Sequence, residues 1–465
     1  MFAAVAILVA QLLLTPCTIK DIPGSVRCGT HRVWENRVSR KGRRIELSII
    51  VLDAFKDNHK PDPLFVLSGG PGDAPSFNAS FFSRVFSNIR QDRDIVLVDL
   101  RGTGKSHNLA CPELLEPDAT GFVDDQILGL PAVRRCRARL EKTTDLRQYT
   151  TENAVDDLDE VRQALSYNQI NLYGTSYGTR VAQVYMPRHP AALRTVSLKG
   201  IVPPSLAAPE THARAGDYAW NQLVKRCQQQ PECARQYPTL DADFRGILKW
   251  LESSPVISIP NKPSGMERVK VSSKFFAEAF RFNLYSPELM SRVPSIIRTL
   301  SVDKTGLFNE IWFGRGLLSS DRLAAGFFLS VSCTEDIPYL PKNIAPLVEG
   351  TFGGDYRLRQ QIRACKVWPR GSVSKQHRQP VKSSIPTLMM SGEFDPVTPP
   401  SGGEEVLRGL RNGRHVVIRN NGHPIGTAEQ CIGSMIAAFV DKGIAEGLDV
   451  SCAEKVWPVP FVIPR

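Results

Sequence analysis

Residues 174–178 read Gly-Thr-Ser-Tyr-Gly and lie between a short apolar run, 170–173, and a helix-like pattern, 179–185. A Gly-x-Ser-x-Gly segment in this setting is typical of a sharp turn from a strand into a helix, where the glycines let backbone pass close to the serine. Such a turn holds the serine hydroxyl up for attack. The sequence therefore predicts Ser176 as a nucleophile, with helix capping by Ser176 as the alternative.

Further apolar runs are separated by helical patterns, the order expected for an α/β fold. The strand candidates are residues 45–51, 64–68, 95–99, 170–173, 195–198, 387–391 and 415–418. The later runs are almost continuously apolar, as strands buried on both faces are. Apolar residues recur at spacings of three and four over 153–165, which predicts an amphipathic helix. We therefore expect a mostly parallel central sheet, as in the α/β-hydrolase architecture.

The strand pattern stops near Gly200 and resumes near Ile385. The region between them is mixed and largely helical in pattern, and such insertions cover the carboxyl ends of the strands, where ligands bind in open α/β sheets. We therefore predict four segments. They are a signal-like segment, 1–16, the first part of the hydrolase core, 17–203, an inserted cap, 204–382, and the C-terminal part of the core, 383–465.

The N-terminal segment indicates export. Residues 2–14 are almost wholly apolar and uncharged, too few to span a bilayer but suited to a secretory signal. We therefore predict a secreted or periplasmic protein without a stable membrane span. The sequence Leu-Thr-Pro-Cys at 14–17 also permits a lipoprotein, acylated on Cys17, as an alternative.

Ten cysteines support the same prediction, because an even number in an exported chain favours disulfides in an oxidising compartment. Free buried thiols in a cytosolic enzyme are the alternative. Spacing does not determine connectivity, and the simplest pairing joins neighbours: 17 with 28, 111 with 136, 227 with 233, 333 with 365 and 431 with 452. Because no group has paired Cys-x-x-Cys spacing, we predict no structural metal.

The net charge of +11 raises the question of an anionic partner. The sequence has no long Lys/Arg run and no aromatic-basic repeat, so it predicts an ordinary basic surface and no nucleic-acid binding. Residues 101–106, Arg-Gly-Thr-Gly-Lys-Ser, resemble the end of a phosphate loop, but Asp99 stands where that loop needs a glycine. No cofactor is therefore predicted, and the sequence carries no signal for an oligomeric state.

A serine nucleophile needs a base and an acid that orients the base, in the chain order Ser, acid, His for this fold. Asp395 follows the apolar run 387–391 in a Pro-rich loop, and His423 follows the next run after Asn-Gly. We predict both as catalytic. The alternatives are that Asp395 is a turn residue, that nearby Glu393 takes its role, and that His423 is structural.

A developing oxyanion also needs donors. Residues 68–72, Ser-Gly-Gly-Pro-Gly, follow a strand candidate, and their glycines let backbone N–H groups approach a substrate oxygen. The N–H of Tyr177, directly after the nucleophile, is the predicted second donor. A plain Gly/Pro turn is the alternative for 68–72.

These motifs resemble the proline iminopeptidase and tripeptidyl aminopeptidase family. The resemblance rests on Gly-Gly-Pro-Gly at 69–72, Asp-Leu-Arg-Gly-Thr-Gly-Lys-Ser at 99–106, the segment 174–178 and Gly-Glu-Phe-Asp-Pro-Val-Thr-Pro at 392–399. It covers nearly the whole chain, more loosely in the cap, and the region from 385 to the last two cysteines is similar to the tripeptidyl-aminopeptidase-type C-terminal region. It implies release of N-terminal residues or short peptides from peptides.

The resemblance also implies site residues. It assigns Ser176 as nucleophile, His423 as base, Asp395 as its orienting acid, and Gly70 and Tyr177 as oxyanion donors. Family members hold the substrate's free amino group with acidic cap residues, and here Glu335 with Asp336 is the expected pair. An exposed acidic turn is the alternative for that pair.

Two positions depart from the family pattern: Ser68 replaces the usual histidine before Gly-Gly-Pro-Gly, and Lys199 stands where relatives commonly carry an acid. The sequence thus predicts an exported, metal-independent serine aminopeptidase acting on peptides with a free N-terminus. A carboxylesterase using the same Ser-His-Asp triad is the alternative enzyme, and a non-catalytic binding protein on a hydrolase fold is the alternative from another class.

Overall fold

Nine strands form one sheet in the part of the chain that the computed structural model describes, residues 12–114, 127–261, 265–304 and 322–463. A separate hairpin of two strands lies in the predicted cap. The strands are β1 Thr15–Pro16, β2 Val26–Trp34, β3 Arg44–Leu52, β4 Leu64–Leu67, β5 Ile95–Val98, β6 Ile170–Thr175, β7 Leu193–Lys199, β8 Val256–Asn261, β9 Gly265–Lys270, β10 Thr387–Gly392 and β11 Gly413–Ile418.

The strand order in the sheet is β1-β2-β3-β5-β4-β6-β7-β10-β11. From β5 to β11 all neighbours run parallel, whereas β1, β2 and β3 pair antiparallel along one edge. The α/β class and the mostly parallel sheet are thus confirmed. Strand β2 was not predicted, because its side chains are mostly half exposed and give no continuous apolar run.

Helices cover both faces of this sheet. The α-helices are α1 Ala79–Val85, α2 Leu130–Leu140, α3 Thr151–Ala164, α4 Tyr177–Arg188, α5 His212–Gln229, α6 Pro231–Gln236, α7 Leu240–Leu251, α8 Ser273–Arg281, α9 Pro287–Met290, α10 Val293–Val302, α11 Ala325–Val331, α12 Ala345–Val348, α13 Tyr356–Cys365, α14 Pro400–Leu407 and α15 Glu429–Lys442. Short 3₁₀ turns occur at Pro75–Asn78, Ile89–Gln91, Pro112–Leu114, Leu146–Gln148, Pro190–Ala192, Ala208–Glu210, Phe282–Leu284, Ile337–Tyr339, Gly426–Ala428 and Ser451–Lys455, and a π-helical turn at Ser332–Asp336.

Two hydrophobic cores sandwich the sheet. One face packs against α3 and α4 through side chains such as Val155 and Val181. The other face packs against α1 and α15 through side chains such as Phe82 and Phe439. Strands β4, β5 and β10 are buried at every residue, as expected for strands covered on both faces.

The region 204–382 packs in two ways. Its first helices have a core of their own, in which Trp220, Phe244 and Phe280 meet. Its later part joins the main core instead, since Phe327 of α11 and Ala364 of α13 pack with α3 and α4. The division at 204 and 382 remains a prediction. The packing joins the later part of the region to α4, the helix that begins directly after Ser176.

Disulfides join all five neighbouring cysteine pairs, which confirms the simplest pairing. The bonds are Cys17–Cys28, Cys111–Cys136, Cys227–Cys233, Cys333–Cys365 and Cys431–Cys452. The sulfur of Cys17 is therefore not available for acylation in this structure, which argues against the lipoprotein alternative. Residues 1–11 of the signal-like segment lie outside the described residues, and Thr15–Pro16 pairs with β2. No helix among the described residues is long and apolar enough to cross a membrane.

Candidate active site

The turn at Ser176 joins β6 to α4 in the way the motif predicts. Ser176 has φ 54° and ψ −122°, a strained conformation for a residue with a side chain. A Cβ on Gly174 would lie 2.4 Å from the Gly178 oxygen, and a Cβ on Gly178 would lie 2.4 Å from the Leu67 oxygen. Both glycines are therefore required for the backbone to pass Ser176 so closely.

The structure brings Ser176, His423 and Asp395 together. The Nε2 of His423 lies 2.9 Å from Ser176 Oγ, and its Nδ1 lies 2.8 Å from Asp395 Oδ2. The three residues follow β6, β11 and β10, and the carboxyl ends of parallel strands meet at one edge of the sheet. A continuous chain of hydrogen bonds thus links the serine through the histidine to the aspartate.

Asp395 is fully buried and is held as an anion by donors. Its Oδ1 accepts backbone N–H bonds from Val397 and Thr398, at 2.9 and 2.8 Å, and its Oδ2 accepts the Thr398 hydroxyl at 2.8 Å. Burial opposes ionisation, but the neighbouring His423, Lys199 and these donors lower its pKa overall. Glu393, the alternative acid, instead accepts the N–H of Asn420.

The loop that carries His423 is fixed from two sides. Lys199 Nζ donates to the backbone oxygens of Gly422 and His423, both at 3.0 Å. The N–H of His423 donates to the Tyr285 oxygen at 2.7 Å, so a residue from the predicted cap holds a core loop. Complete burial lowers the pKa of Lys199 to about 8, although Asp395 opposes this shift. Nothing in its sequence context indicated that Lys199 supports the histidine.

The glycine-rich loop after β4 lies against the nucleophile. A Cβ on Gly69 would be 3.0 Å from Ser176 Cβ, so the loop packs directly on the serine. Gly70 has φ +105°, a left-handed conformation suited to glycine. Tyr177 begins α4, and its buried hydroxyl lies 2.7 Å from Thr151 Oγ1. The predicted oxyanion donors, Gly70 and Tyr177, thus flank Ser176 in the same cavity.

That cavity has a volume of about 410 Å³, within the range of small-molecule sites. The core contributes the glycine-rich loop, the serine turn and the histidine loop. The predicted cap contributes apolar side chains, such as Phe282 and Phe328, together with charged ones. The acidic, basic and histidine side chains in its lining are Asp73, Arg180, His212, Arg281, Asp336, Arg357 and His423.

Of the two predicted ligands for the substrate amino group, Asp336 lines the cavity and Glu335 does not. Asp336 lines the cavity but pairs with Arg180 at 2.8 Å. Glu335 is fully buried behind the cavity, where it accepts bonds from the backbone N–H and the hydroxyl of Thr151, at 2.7 and 2.6 Å, and pairs with His377 at 3.0 Å. The π-helical turn that carries both acids sends one towards Arg180 and the other towards Thr151.

Asp73 is a carboxylate of the cavity wall that sequence reasoning missed. Its oxygens accept bonds from the N–H of Ala74 at 2.9 Å and from Asn78 Nδ2 at 3.3 Å, neither of which is a cation. Burial raises its pKa to about 6. Its position directly after Gly-Gly-Pro-Gly was the one available signal.

Metal ligation has one geometric candidate among the described residues, the group of Cys111, Glu113 and Cys136. The two sulfurs are bonded to each other, so neither is a thiolate that could bind an ion.

Comparison with known proteins agrees with this geometry. Residues 62–240 match the family described as alpha/beta hydrolase fold, and residues 350–452 match the family described as TAP-like protein. The chain is 24% identical to the serine protease Hip1 of Mycobacterium tuberculosis, over 94% of this chain and 90% of that protein. It is also 24% identical to the tripeptidyl aminopeptidase of Streptomyces coelicolor, over 95% of this chain and 85% of that protein. A shorter match, 24% identical, covers 33% of this chain and 39% of the proline iminopeptidase of Heyndrickxia coagulans.

Proposed function

This chain belongs to the α/β-hydrolase family of proline iminopeptidases and tripeptidyl aminopeptidases, and from that premise we propose that it is an exported serine aminopeptidase. It releases N-terminal residues or short peptides from peptide substrates through an acyl-enzyme. The observation that carries this proposal is the chain of hydrogen bonds from Ser176 through His423 to Asp395. It lies at the carboxyl ends of the parallel strands.

The geometry supports a defined role for each group. Asp395 accepts a hydrogen bond from Nδ1–H of His423, which keeps the proton on Nδ1 and leaves the Nε2 lone pair free to take the proton of Ser176 Oγ. The serine oxygen then attacks the scissile carbonyl, and the protonated His423 gives its proton to the leaving amine. Water repeats the sequence on the acyl-enzyme, with His423 again as the base, and returns the serine.

The oxyanion of each tetrahedral intermediate needs donors that are in place beforehand. We assign this role to the N–H groups of Gly70 and Tyr177. The close packing of Gly69 on Ser176 and the buried hydrogen bond between Tyr177 and Thr151 support a rigid oxyanion site.

An aminopeptidase must hold an ammonium group, which needs a carboxylate when it leaves water. Asp73 and Asp336 line the cavity and are proposed to contact this group. Asp73 has the stronger case, because Asp336 is already neutralised by Arg180. Glu335 supports the site from behind, since it binds Thr151, which in turn contacts Tyr177.

The charged lining also bears on the alternatives. An esterase for neutral substrates has no use for two carboxylates and three arginines around its serine. A catalytically inactive protein with a hydrolase fold, used only for binding, has no need of a complete Ser-His-Asp triad. Export is supported by five disulfides, which persist in oxidising compartments such as the periplasm or the extracellular space.

The test is cleavage of a chromogenic panel by the purified protein. The panel contains aminoacyl anilides, a proline anilide, tripeptidyl anilides with free or blocked N-termini, and p-nitrophenyl esters. We expect cleavage of free but not blocked peptides, and the shortest cleaved substrate tells how many residues leave. Hydrolysis of esters alone would move the assignment to the esterase, and failure of Ser176 to react with a fluorophosphonate would favour the binding protein.

A further inference from the structure

One wall of the catalytic cavity is basic and comes from three helices of the predicted cap. His212 begins α5, Arg281 ends α8 and Arg357 lies in the first turn of α13. All three line the cavity that contains Ser176, and the same three line a small recess that continues behind it. The mechanism described above uses none of them.

Two guanidinium groups in this wall share one carboxylate. Arg281 binds Glu278 with two nitrogens, Nη2 at 2.9 Å and Nε at 3.3 Å, and its Nη1 donates to the Tyr285 hydroxyl at 3.2 Å. Arg357 only approaches Glu278, with Nη1 at 3.5 Å from Oε1. Arg281 therefore uses three of its five N–H donors on Glu278 and Tyr285, and two guanidinium groups against one carboxylate leave the described part of the wall with one positive charge in excess.

Arg357 carries that excess. Its side chain is 11% exposed, and its Nε and Nη1 atoms are buried without a hydrogen-bond partner among the described residues. The Nδ1 atom of His212 beside it is also buried, and no described residue forms a hydrogen bond with it. Burying unpaired donors costs free energy, and a buried guanidinium is strongly stabilised by an anion that fits its planar fork. Among the described residues only Glu278 approaches Arg357 as an anion, and it is shared with Arg281, so the wall can accept a second anion.

We propose that Arg357, with Arg281 and His212 beside it, binds a carboxylate of the peptide substrate on the leaving-group side of Ser176. The side follows from His423, which donates its proton to the leaving amine. Arg281 contacts Tyr285, and the Tyr285 ring lies edge-on to the His423 ring with centroids 5.4 Å apart. The inference rests on the proposed peptidase function and names its substrate class: peptides with an anionic group just after the scissile bond.

A carboxylate at that point has two sources. It is either the α-carboxylate of a short peptide or the side chain of Asp or Glu in a longer one. In the first case the leaving group, C-terminal to the scissile bond, is a single residue. Together with Asp73, the first source gives a zwitterionic short peptide a partner for each of its charges.

The experiment compares kcat/KM on two pairs of substrates. For release of a tripeptide, tetra-alanine and its C-terminal amide test the α-carboxylate, and Ala-Ala-Ala-Glu-amide against Ala-Ala-Ala-Gln-amide tests the side chain. If the panel shows that a single residue leaves, alanylalanine and its amide, and Ala-Glu-amide against Ala-Gln-amide, replace them. We expect the wild type to prefer the acid in at least one pair by about tenfold or more, because charge-assisted hydrogen bonds are lost with the neutral partner. Arg357→Gln should reduce that ratio towards one, and Arg357→Lys, which keeps the charge without the fork, should keep part of it. Equal rates within both pairs, or an unchanged ratio in Arg357→Gln, would overturn the carboxylate site.

Arg359→Gln is the matched control, because Arg359 is exposed on the same helix and pairs with Asp355 there. It should keep the wild-type ratio. A purely structural role of Arg357 would lower the melting temperature and leave the acid-to-amide ratio unchanged.

Calorimetric titration with alanylalanine and its amide separates this site from the peptidase assignment. Tighter binding of the acid to the wild type but not to Arg357→Gln, without peptide cleavage, would keep the site and remove the peptidase function. Cleavage of peptides without any preference for the acid, in rate or in binding, would keep the peptidase function and remove the carboxylate site.

Discussion

Lys199 lies beneath the loop that carries His423 and donates from Nζ to the His423 backbone oxygen at 3.0 Å. The lysine is completely buried, and the same nitrogen also binds the Gly422 oxygen. Lys199 therefore holds the loop of His423 in place. A neutral amine can make both bonds, so this role does not need the positive charge.

The lowered pKa of buried Lys199 should make the free energy of unfolding depend on pH. Its pKa is about 8 in the folded protein and 10.5 when exposed, so between these values the unfolded chain binds more protons. The free energy of unfolding should therefore rise with pH in this window, by about 3 kcal/mol in all, and stay flat below it. Urea unfolding of the wild type and of Lys199→Met from pH 7 to 10.5 measures this, since the difference between the two should grow. A constant difference would contradict the buried, weakly basic lysine.

Replacement of the nucleophile is the simplest prediction. Ser176→Ala should lower kcat by about 10⁶-fold, the scale typical of removing a serine nucleophile, and should abolish fluorophosphonate labelling. The melting temperature should not fall, because the strained backbone at Ser176 gains nothing from its hydroxyl. Ser253→Ala, at an exposed serine, is the control. Near-normal turnover by Ser176→Ala would refute the assignment.

Asp73 should control the preference for a free N-terminus in a pH-dependent way. Above its pKa of about 6 the carboxyl is ionised and binds an ammonium, and below it the charge is lost. The ratio of kcat/KM for a free peptide to that for its N-acetyl form should therefore fall as pH decreases through 6. Taking the ratio cancels every effect of pH that is common to the two substrates.

Asp73→Asn should have a low ratio at every pH, about tenfold below the wild type, as expected for a lost charge-assisted bond. Asp57→Asn, at an exposed aspartate, should behave as the wild type. If Asp73→Asn keeps the wild-type profile, another group holds the amine.

Glu335 should behave as a supporting residue. Glu335→Gln removes a buried charge that Thr151 and His377 solvate, so we expect a loss of roughly 2 kcal/mol in the free energy of unfolding. Because the side chain does not line the cavity, kcat/KM should fall by the same factor for free and N-acetylated peptides. The exposed Glu252→Gln serves as control. A loss confined to free peptides would instead make Glu335 the ligand of the ammonium group, as the sequence predicted.

The Cys333–Cys365 disulfide links the π-helical turn with Asp336 to the helix with Arg357, across a sequence separation of 32. Removing it by a double Cys→Ser change should cost about 4 kcal/mol of stability by the entropy of loop closure. Removing Cys227–Cys233, with a separation of 6, should cost about 2 kcal/mol. Equal costs would show that loop length does not set the effect, and substrate selectivity should change only in the first variant.

Much of the fold and the triad could be predicted because their requirements are local. The turn at Ser176 needs glycine on both sides, buried strands need continuous apolar runs, and Asp395 and His423 each follow such a run. Strand β2 escaped prediction because it lies next to the edge of the sheet, covered on one side only by the two-residue β1, and has a half-exposed, mixed pattern. The neighbouring cysteine pairs were predictable only as the simplest choice.

The functions of the other charged residues were decided by packing alone. Glu335 and Asp336 are adjacent in the chain, but one lies behind the wall against Thr151 and the other lines the cavity against Arg180. Asp73 and Arg357 are separated in sequence by most of the first core segment and most of the predicted cap, and both line one cavity. The strength of a charge depends on its burial and on its partners, which the chain brings together over hundreds of residues. The sequence therefore specified the fold and predicted the candidate triad, whereas tertiary packing determined which charged side chains line the cavity and which are paired.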